Sequence, residues 1–311
     1  MSKFLVIIAG PTACGKTATG IALAKHYKTE IISADSRQIY KETSIGTAVP
    51  SPEELKTVAH HFIQEISLNN YYNASMYELD VLKRLKQLYE KYRVIFMVGG
   101  SGMYINAVCF GIDDLPTVDQ KIRTNLAEKF EKEGLVSLQE KLKQLDPVSY
   151  ERIDLNNQYR VLKALEISIQ TGRPYSSFLT HQKRERDFQI IRVGLDMDRE
   201  ILYKRINSRV DEMMKNGLME EVKGLIEFRS SNALKTVGYR ELFSYLDKKI
   251  SMEEALDLIK RNTRKYARKQ LTWFRKDKLF PWFHPQNLDI ISEYIDQEMQ
   301  KRSKSTHNHT Q

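Results

Sequence analysis

Phe4-Leu5-Val6-Ile7-Ile8-Ala9 runs directly into Gly10-Pro11-Thr12-Ala13-Cys14-Gly15-Lys16-Thr17. The six apolar residues read as a strand buried on both faces of a parallel sheet. The next eight fit G-x-x-x-x-G-K-[ST], and helical spacing runs from Thr17 to Tyr27. A glycine-rich loop between strand and helix lets successive N–H groups converge on phosphate oxygens, and the helix N-terminus adds positive potential. Lys16 offers a point charge to the outer phosphates, and the Thr17 hydroxyl offers a ligand to Mg²⁺. In this strand–loop–helix context, Gly10, Pro11, Thr12, Ala13, Cys14, Gly15, Lys16 and Thr17 form a diphosphate- or nucleotide-binding loop. Cys14 reads as a small residue that fits the loop, with a reactive thiol as the alternative.

Outward from this loop, Glu30 to Ser33 reads as a second strand and Ser75 to Tyr92 as an amphipathic helix. Val94 to Val98 is a third strand that ends at Gly99-Gly100. The alternation predicts an α/β fold: a P-loop NTPase-like parallel sheet flanked by helices. After Leu115-Pro116 the pattern changes. Asp119 to Leu145 and Asn157 to Gln170 carry helical periodicity, and Thr171-Gly172-Arg173-Pro174 stops it. Residues 1–112 are therefore expected to form the first part of the core, 113–184 an all-helical insertion domain, and 185–285 the second part of the core. Within that second part, Phe188 to Leu195 reads as a return strand, and Arg199 to Phe228 and Ser251 to Lys276 as helices. Residues 286–311 are expected to form a C-terminal helix and a frayed polar tail from Ser303.

The chain has 311 residues, of which 41% are hydrophobic and 29% charged. That profile excludes disordered and fibrous classes. No run reaches the roughly 20 apolar residues of a membrane span. No cleavable signal pattern precedes Phe4, so a cytoplasmic protein is expected. Two cysteines, Cys14 and Cys109, exclude a disulfide framework and a cysteine-rich zinc site. No feature marks an oligomeric interface, so a monomer is expected. The formal charge of +9 suits a polyanionic partner. Its distribution sharpens this. Lys260 to Lys278 holds nine basic residues and one acid, Asp277. Arg261, Arg264, Lys265 and Arg268 recur at helical spacing as one positive stripe, suited to an RNA backbone. A solvated helix face usually mixes charge signs. Ile259, Tyr266, Ala267, Leu271 and Phe274 read as core, as do most of the aromatics through Phe283.

A P-loop does not specify its phosphate. Motor and switch NTPases place a Mg²⁺-holding acid after a later strand, whereas Val94 to Val98 ends in Gly99-Gly100-Ser101-Gly102. Two enzyme readings remain, a small P-loop kinase and an enzyme that holds a diphosphate leaving group. A non-catalytic RNA-binding protein with a relict loop is a third. In an open α/β sheet, ligands bind beyond the carboxyl ends of the strands. Asp35 and Ser101 both follow predicted strands, so both can face the loop. Asp35 reads as a general base, a Mg²⁺ ligand or a turn cap. His60-His61 does not suggest a metal, because adjacent strand residues point to opposite faces.

The ordered set GPTACGKT, SADSRQIY, IGTAVPSPEE, HHF and GGSGMY resembles the tRNA dimethylallyltransferase family. Further matching segments are Asp146-Pro147, Asn157 to Glu166, Thr171 to Pro174, Val237 to Arg240 and Thr263 to Gln270. The resemblance spans roughly residues 4–284. It implies transfer of a dimethylallyl group from dimethylallyl diphosphate to N6 of the adenosine 3′ of the anticodon, in tRNAs reading codons that begin with U. The partners it implies are dimethylallyl diphosphate and the tRNA anticodon stem-loop, with Mg²⁺ as cofactor. The P-loop would then hold diphosphate, which agrees with the missing acid after Val98.

The resemblance also assigns roles. Asp35 would take the N6 proton, and Ser101, standing where the family usually has Thr, would orient Asp35 or the amine. Lys16, the loop amides and a Mg²⁺ on Thr17 would neutralise the leaving diphosphate, with help from Arg205 or Arg209. RNA contacts would fall to Asp35, Ser36, Arg37, Gln38, Ser101 and Arg123. Gln158, Tyr159, Arg160, Val161 and Leu162 of the insertion would add to them, with Arg264 and Arg268 on the basic stripe. Val161, Leu162 and Leu165 also read as core. The family's common Lys-Pro after Gly-Thr-Ala is Val49-Pro50 here. A lysine contact at that position is either supplied by a neighbour such as Lys41 or dispensable.

Overall fold

Six parallel strands hydrogen-bond in the order β3-β2-β4-β1-β5-β6. The computed structural model describes residues 2–180 and 182–307, without the side chains of 305–307. The strands are β1 (Phe4–Ala9), β2 (Ile31–Ser33), β3 (His60–His61), β4 (Val94–Gly99), β5 (Gln189–Leu195) and β6 (Trp282–Phe283). The helices among them are α1 (Lys16–His26), α2 (Pro52–Thr57), α3 (Ala74–Leu88), α4 (Gly102–Phe110), α5 (Gln120–Leu145), α6 (Pro147–Arg152), α7 (Gln158–Thr171), α8 (Arg199–Lys215), α9 (Leu218–Gly224), α10 (Tyr239–Leu246), α11 (Met252–Phe274) and α12 (Leu288–His307).

The chain divides into two compact units. One comprises Met1–Cys109 and Glu185–Gln311, the other Phe110–Arg184. In the first, β1 pairs with β4 on one side and β5 on the other, and every residue of β1 and β4 is buried. Burial on both faces is why these strands are unbroken apolar runs. Leu202 and Ile206 of α8, and Ile291 and Ile295 of α12, pack in the same core as the strand residues. This sheet brings the carboxyl ends of β1, β2 and β4 side by side, and the loops that follow them carry the site. Gly99 is where that closeness is decided. A Cβ there would stand 2.2 Å from the carbonyl oxygen of Ala34, so only glycine lets the chain leaving β4 pass the chain leaving β2.

The second unit is helical. Leu126, Leu138 and Leu142 of α5 pack against Val161, Ala164 and Leu165 of α7. Gly134, at φ 75, kinks α5 internally. Asp146 is fully buried and accepts four hydrogen bonds, from the N–H and hydroxyl of Ser149 (3.0 and 2.5 Å) and of Ser176 (2.7 and 2.7 Å).

Three expectations change. The helix read over Arg199 to Phe228 is broken between α8 and α9, where Gly217 takes φ 97 as the cap of α9. Apolar spacing alone does not register a glycine turn that keeps both helices on the core. The polar segment from Ser303, read as frayed, continues α12 as far as His307. Residues 308–311, the rest of that tail, lie outside the described residues. Tyr266 and Trp273, read as core, are each 43% exposed, while Ile259, Ala267 and Phe274 are buried. The buried stripe of α11 is narrower than its aromatic content suggested.

Two stability predictions follow from this packing. Gly99→Ala should cost about 3 kcal/mol, because backbone cannot yield to the added methyl. Gly224→Ala, with nothing within 4 Å, should be neutral or stabilise by about 0.5 kcal/mol. Denaturation midpoints of the two variants test the contrast. Desolvation opposes ionisation of Asp146, but the hydrogen bonds from Ser149 and Ser176 outweigh it and hold the carboxyl below its ordinary 3.8. A depressed folded value means stability that is present above pH 3.8 and lost as pH falls through the lower value. Acid titration followed by circular dichroism should show this loss, and Asp146→Asn should remove it.

Candidate active site

The loop after β1 leads directly into α1. Gly15, at φ 101, makes the turn, and the unpaired N-terminal amides of α1 have no side-chain cap. Lys16 folds back so that Nζ donates to the carbonyl of Pro11 at 2.7 Å. A cavity of about 670 Å³ lies over this loop. Its walls include Lys16, Thr17, Asp35, Arg205 and Arg209. Desolvation pulls both Lys16 and Arg209 below their ordinary values, and the nearby Asp35 carboxylate partly restores each. These two cations stand together in the cavity wall, beside the Asp35 carboxylate. Both candidate arginines of α8 line the cavity. Arg205 stands close over Gly15, and Arg209 also lines a second, smaller cavity beside Asp35. Val49 lines the large cavity as well. Lys204 stands in the same wall, and Lys41 does not line it.

Asp35 follows β2 in a tight turn. Its Oδ1 accepts the N–H groups of Arg37 (2.9 Å) and Gln38 (3.4 Å). No protein group among the described residues takes Oδ2. Ser101, after β4, does not touch the carboxylate. Its hydroxyl accepts the N–H of Ser36 at 2.9 Å and donates to the Ser36 hydroxyl at 3.1 Å, so it holds the backbone of the Asp35 turn. The Gln38 amide is committed inside the protein, donating to the carbonyls of Thr47 (3.1 Å) and Ala48 (2.8 Å). Arg37 donates to the carbonyl of Asn232 at 3.0 Å.

The smaller cavity, about 110 Å³, lies next to Asp35 and is walled by Ala48, Ile206, Val210, Met213, Leu218 and Val237 among others. It shares Thr12, Asp35 and Arg209 with the large cavity. On another side it shares Arg37, Thr236, Val237 and Tyr266 with a third cavity of about 700 Å³. The third is lined by Ser36, Ser101, Tyr71, Lys265, Lys269 and Trp273, with Lys235 and Arg240. Phosphate loop, carboxylate, apolar pocket and basic aromatic cleft therefore stand in series.

The remaining candidates are placed as follows. Arg264 turns inward and donates to Asn207 of α8 at 2.7 Å, whereas Arg268 stays exposed. Arg123 pairs with Glu166 at 3.6 Å within the helical unit. There Tyr159 is 72% exposed and Arg160 exposed, while Gln158 and Leu162 are half-buried and Val161 is fully buried. His61 pairs with Glu30 at 2.6 Å and His60 with the carbonyl of Val58. Among the described residues no cluster of three or more His, Cys, Asp or Glu is suited to a metal.

Sequence reading missed Gln270, whose buried amide accepts the N–H of Thr12 at 2.8 Å and donates to Gly100 at 3.0 Å. It also missed the aromatic lining by Tyr266 and Trp273. Their i,i+7 spacing beside Lys265 and Lys269 was the available signal.

The IPP transferase family profile matches residues 38–277. The chain belongs to the IPP transferase family. A tRNA dimethylallyltransferase of Christiangramia forsetii is 51% identical over 300 residues, covering 96% of this chain and 99% of its own. One from Bacteroides fragilis is 48% identical, covering 94% and 98%. Among solved structures, the full-length tRNA isopentenylpyrophosphate transferase of Bacillus halodurans superposes with a TM-score of 0.73 at 36% identity, covering 99% of this chain and all of that one. These likenesses run across the whole IPP transferase chain, phosphate loop and helical unit included. Among the described residues no helix is long and apolar enough to cross a membrane.

The Cys14 thiol is fully buried, and burial raises its pKa despite neighbouring Lys16. Cys109 is buried too, and its thiol is pushed up to about 12 by desolvation. Both should resist Ellman's reagent in the native protein and react only on unfolding. Fast labelling of Cys14 in the folded protein would restore the reactive-thiol reading.

Proposed function

We propose that this chain transfers a dimethylallyl group from dimethylallyl diphosphate to N6 of the adenosine 3′ of the anticodon in tRNA, releasing diphosphate. The observation that carries this reading is Asp35, a carboxylate with one oxygen unpaired, set in the wall between the cationic phosphate cavity and the small apolar cavity. Diphosphate fits the first, the five-carbon group the second. The flipped adenine reaches Asp35 from the third, where basic and aromatic side chains suit an RNA loop. A small-metabolite kinase has no use for that cleft.

N6 is a poor nucleophile, because its lone pair is shared with the ring. As it attacks the first carbon of the dimethylallyl group, the carbon–oxygen bond breaks and the pair leaves with the diphosphate. The N6 proton passes to Asp35 Oδ2. Oδ1, held by two backbone N–H groups, keeps the carboxylate from rotating away. Lys16, Arg205, Arg209 and the loop amides receive the leaving charge without reorganising. Asp35 and Arg209 both line the phosphate cavity and the small apolar cavity, so the base stands beside a cation that receives the leaving charge.

A divalent ion fits this donor set. Thr17 supplies one hard oxygen in the phosphate cavity, and among the described residues no cluster of three or more His, Cys, Asp or Glu forms a cage for a metal, which would suit a Mg²⁺ that keeps waters and shares the diphosphate. Bound there, Mg²⁺ would add charge neutralisation to the leaving group. Arg37, Lys265, Lys269 and Arg268 would meet RNA phosphates, and Tyr159 and Arg160 would do so on the helical unit. Gln38 and Ser101 act by holding the Asp35 turn. Such an enzyme works in the cytoplasm, where tRNA is, and needs no second copy to complete its site.

Purified protein, unmodified tRNA, Mg²⁺ and dimethylallyl diphosphate should yield a prenylated adenosine detectable by nucleoside mass spectrometry. Asp35→Asn should lower kcat by about 10²- to 10⁴-fold while tRNA affinity changes little. Full activity in Asp35→Asn would leave the reaction standing and remove Asp35 as the base. Absence of product from folded, tRNA-binding wild type would overturn the function.

A further inference from the structure

Glu221 lies on α9, away from the phosphate loop, and its carboxylate accepts four hydrogen bonds. Oε2 takes the N–H groups of Ser44 (2.9 Å) and Ile45 (2.7 Å). Oε1 takes the N–H of Gly46 (3.0 Å) and the Tyr239 hydroxyl (2.6 Å). Three successive amides closed around one oxygen pair form an anion nest, filled here by the protein's own side chain. Tyr239 is fully buried, and burial followed by the Glu221 charge pushes its phenol far above the usual range, so it stays a donor. The Tyr239 ring fills the space where residue 46 would carry a side chain. A Cβ there would stand 2.6 Å from Cζ.

The pinned turn continues into the site. Gly46, Thr47 and Ala48 line the apolar cavity, as does Leu218 at the start of α9. Thr47 and Ala48 also carry the two carbonyls that hold the Gln38 amide, and the Gln38 N–H reaches Asp35. One carboxylate thus fixes a loop that is at once a wall of the apolar cavity and a support of the base.

We propose that Glu221 is a positioning residue for the prenyl group, holding the 44–48 loop as the wall against which the dimethylallyl carbons lie. This rests on reading the apolar cavity as the hydrocarbon subsite. Glu221 touches no reacting atom. Its effect should fall on the hydrocarbon half of the substrate and spare the diphosphate half. Glu221→Gln keeps the volume but turns an NH₂ group toward N–H donors, so at least one side of the nest must open.

The test compares binding of dimethylallyl diphosphate and of inorganic pyrophosphate, each with Mg²⁺, by calorimetry. It needs no turnover. In Glu221→Gln, dimethylallyl diphosphate should bind at least tenfold more weakly, with pyrophosphate changed less than threefold. Gly46→Ala strikes the same turn from the Tyr239 side and should reproduce the pattern, so it carries the test if Glu221→Gln does not fold. Transfer assays with both variants should show the loss in KM for dimethylallyl diphosphate, with KM for tRNA unchanged. Equal weakening of both ligands would mark a general structural role and overturn the proposal, as would no weakening of either. A wild-type protein that transfers nothing would overturn the functional reading separately, leaving the binding ratio to judge Glu221.

Discussion

The buried amide of Gln270 is the contact on which the site's assembly depends. Its oxygen holds the Thr12 N–H of the phosphate loop, and its nitrogen holds the Gly100 carbonyl of the loop after β4. The Gly100 bond is buried and the Thr12 bond partly so, and a buried donor or acceptor left unpaired costs about 1–3 kcal/mol. A Cβ on residue 100 would sit 2.1 Å from that nitrogen, so the bridge exists because Gly100 has no side chain. Gln270 belongs to α11, the helix that presents Lys265, Lys269 and Trp273 to the basic cleft. A single side chain therefore sets the phosphate loop, the Ser101 loop and the cationic helix in one register.

Around that bridge the electrostatics are arranged in advance. Gathering Lys16 and Arg209 in one half-closed cavity costs solvation, which is why both cations lie below their ordinary values. Asp35 offsets part of this cost in the free protein. A bound diphosphate would offset far more, so the arrangement favours a polyanion over water in the same space. The same carboxylate is held by backbone through one oxygen, and no protein group among the described residues takes the other.

The sheet was legible because its signals are local: buried strands as apolar runs, a glycine loop between strand and helix, and an amphipathic period in α3 and α7. Asp35 and Ser101 could be placed after predicted strands, facing the loop, from the same pattern. What was hidden depends on contacts between distant segments. Nothing near Gln270 announces partners 170 and 258 residues away. Arg264 and Arg268 share one spacing and one charge, yet Asn207 draws the first inward and the second stays exposed. Tyr266 and Trp273 look like core in composition. They line a cleft, while Ile259, Ala267 and Phe274 take the buried positions of the same helix.

The Glu221 nest gives a physical reason for a carboxylate set one remove behind the wall of an apolar cavity. A tight turn that lines an apolar cavity leaves its N–H groups without partners on that side, and each must be satisfied elsewhere. Strand pairing is not open to a turn, and apolar packing satisfies no amide. A half-buried, fully bonded carboxylate meets three N–H groups at once. Placing it on α9, beyond Gly217, lets the break in the long helix serve the site. Leu218 enters the cavity wall and Glu221, one turn further on, reaches back to hold the loop opposite. The helix break that periodicity could not foresee is thus the same feature that shapes the pocket.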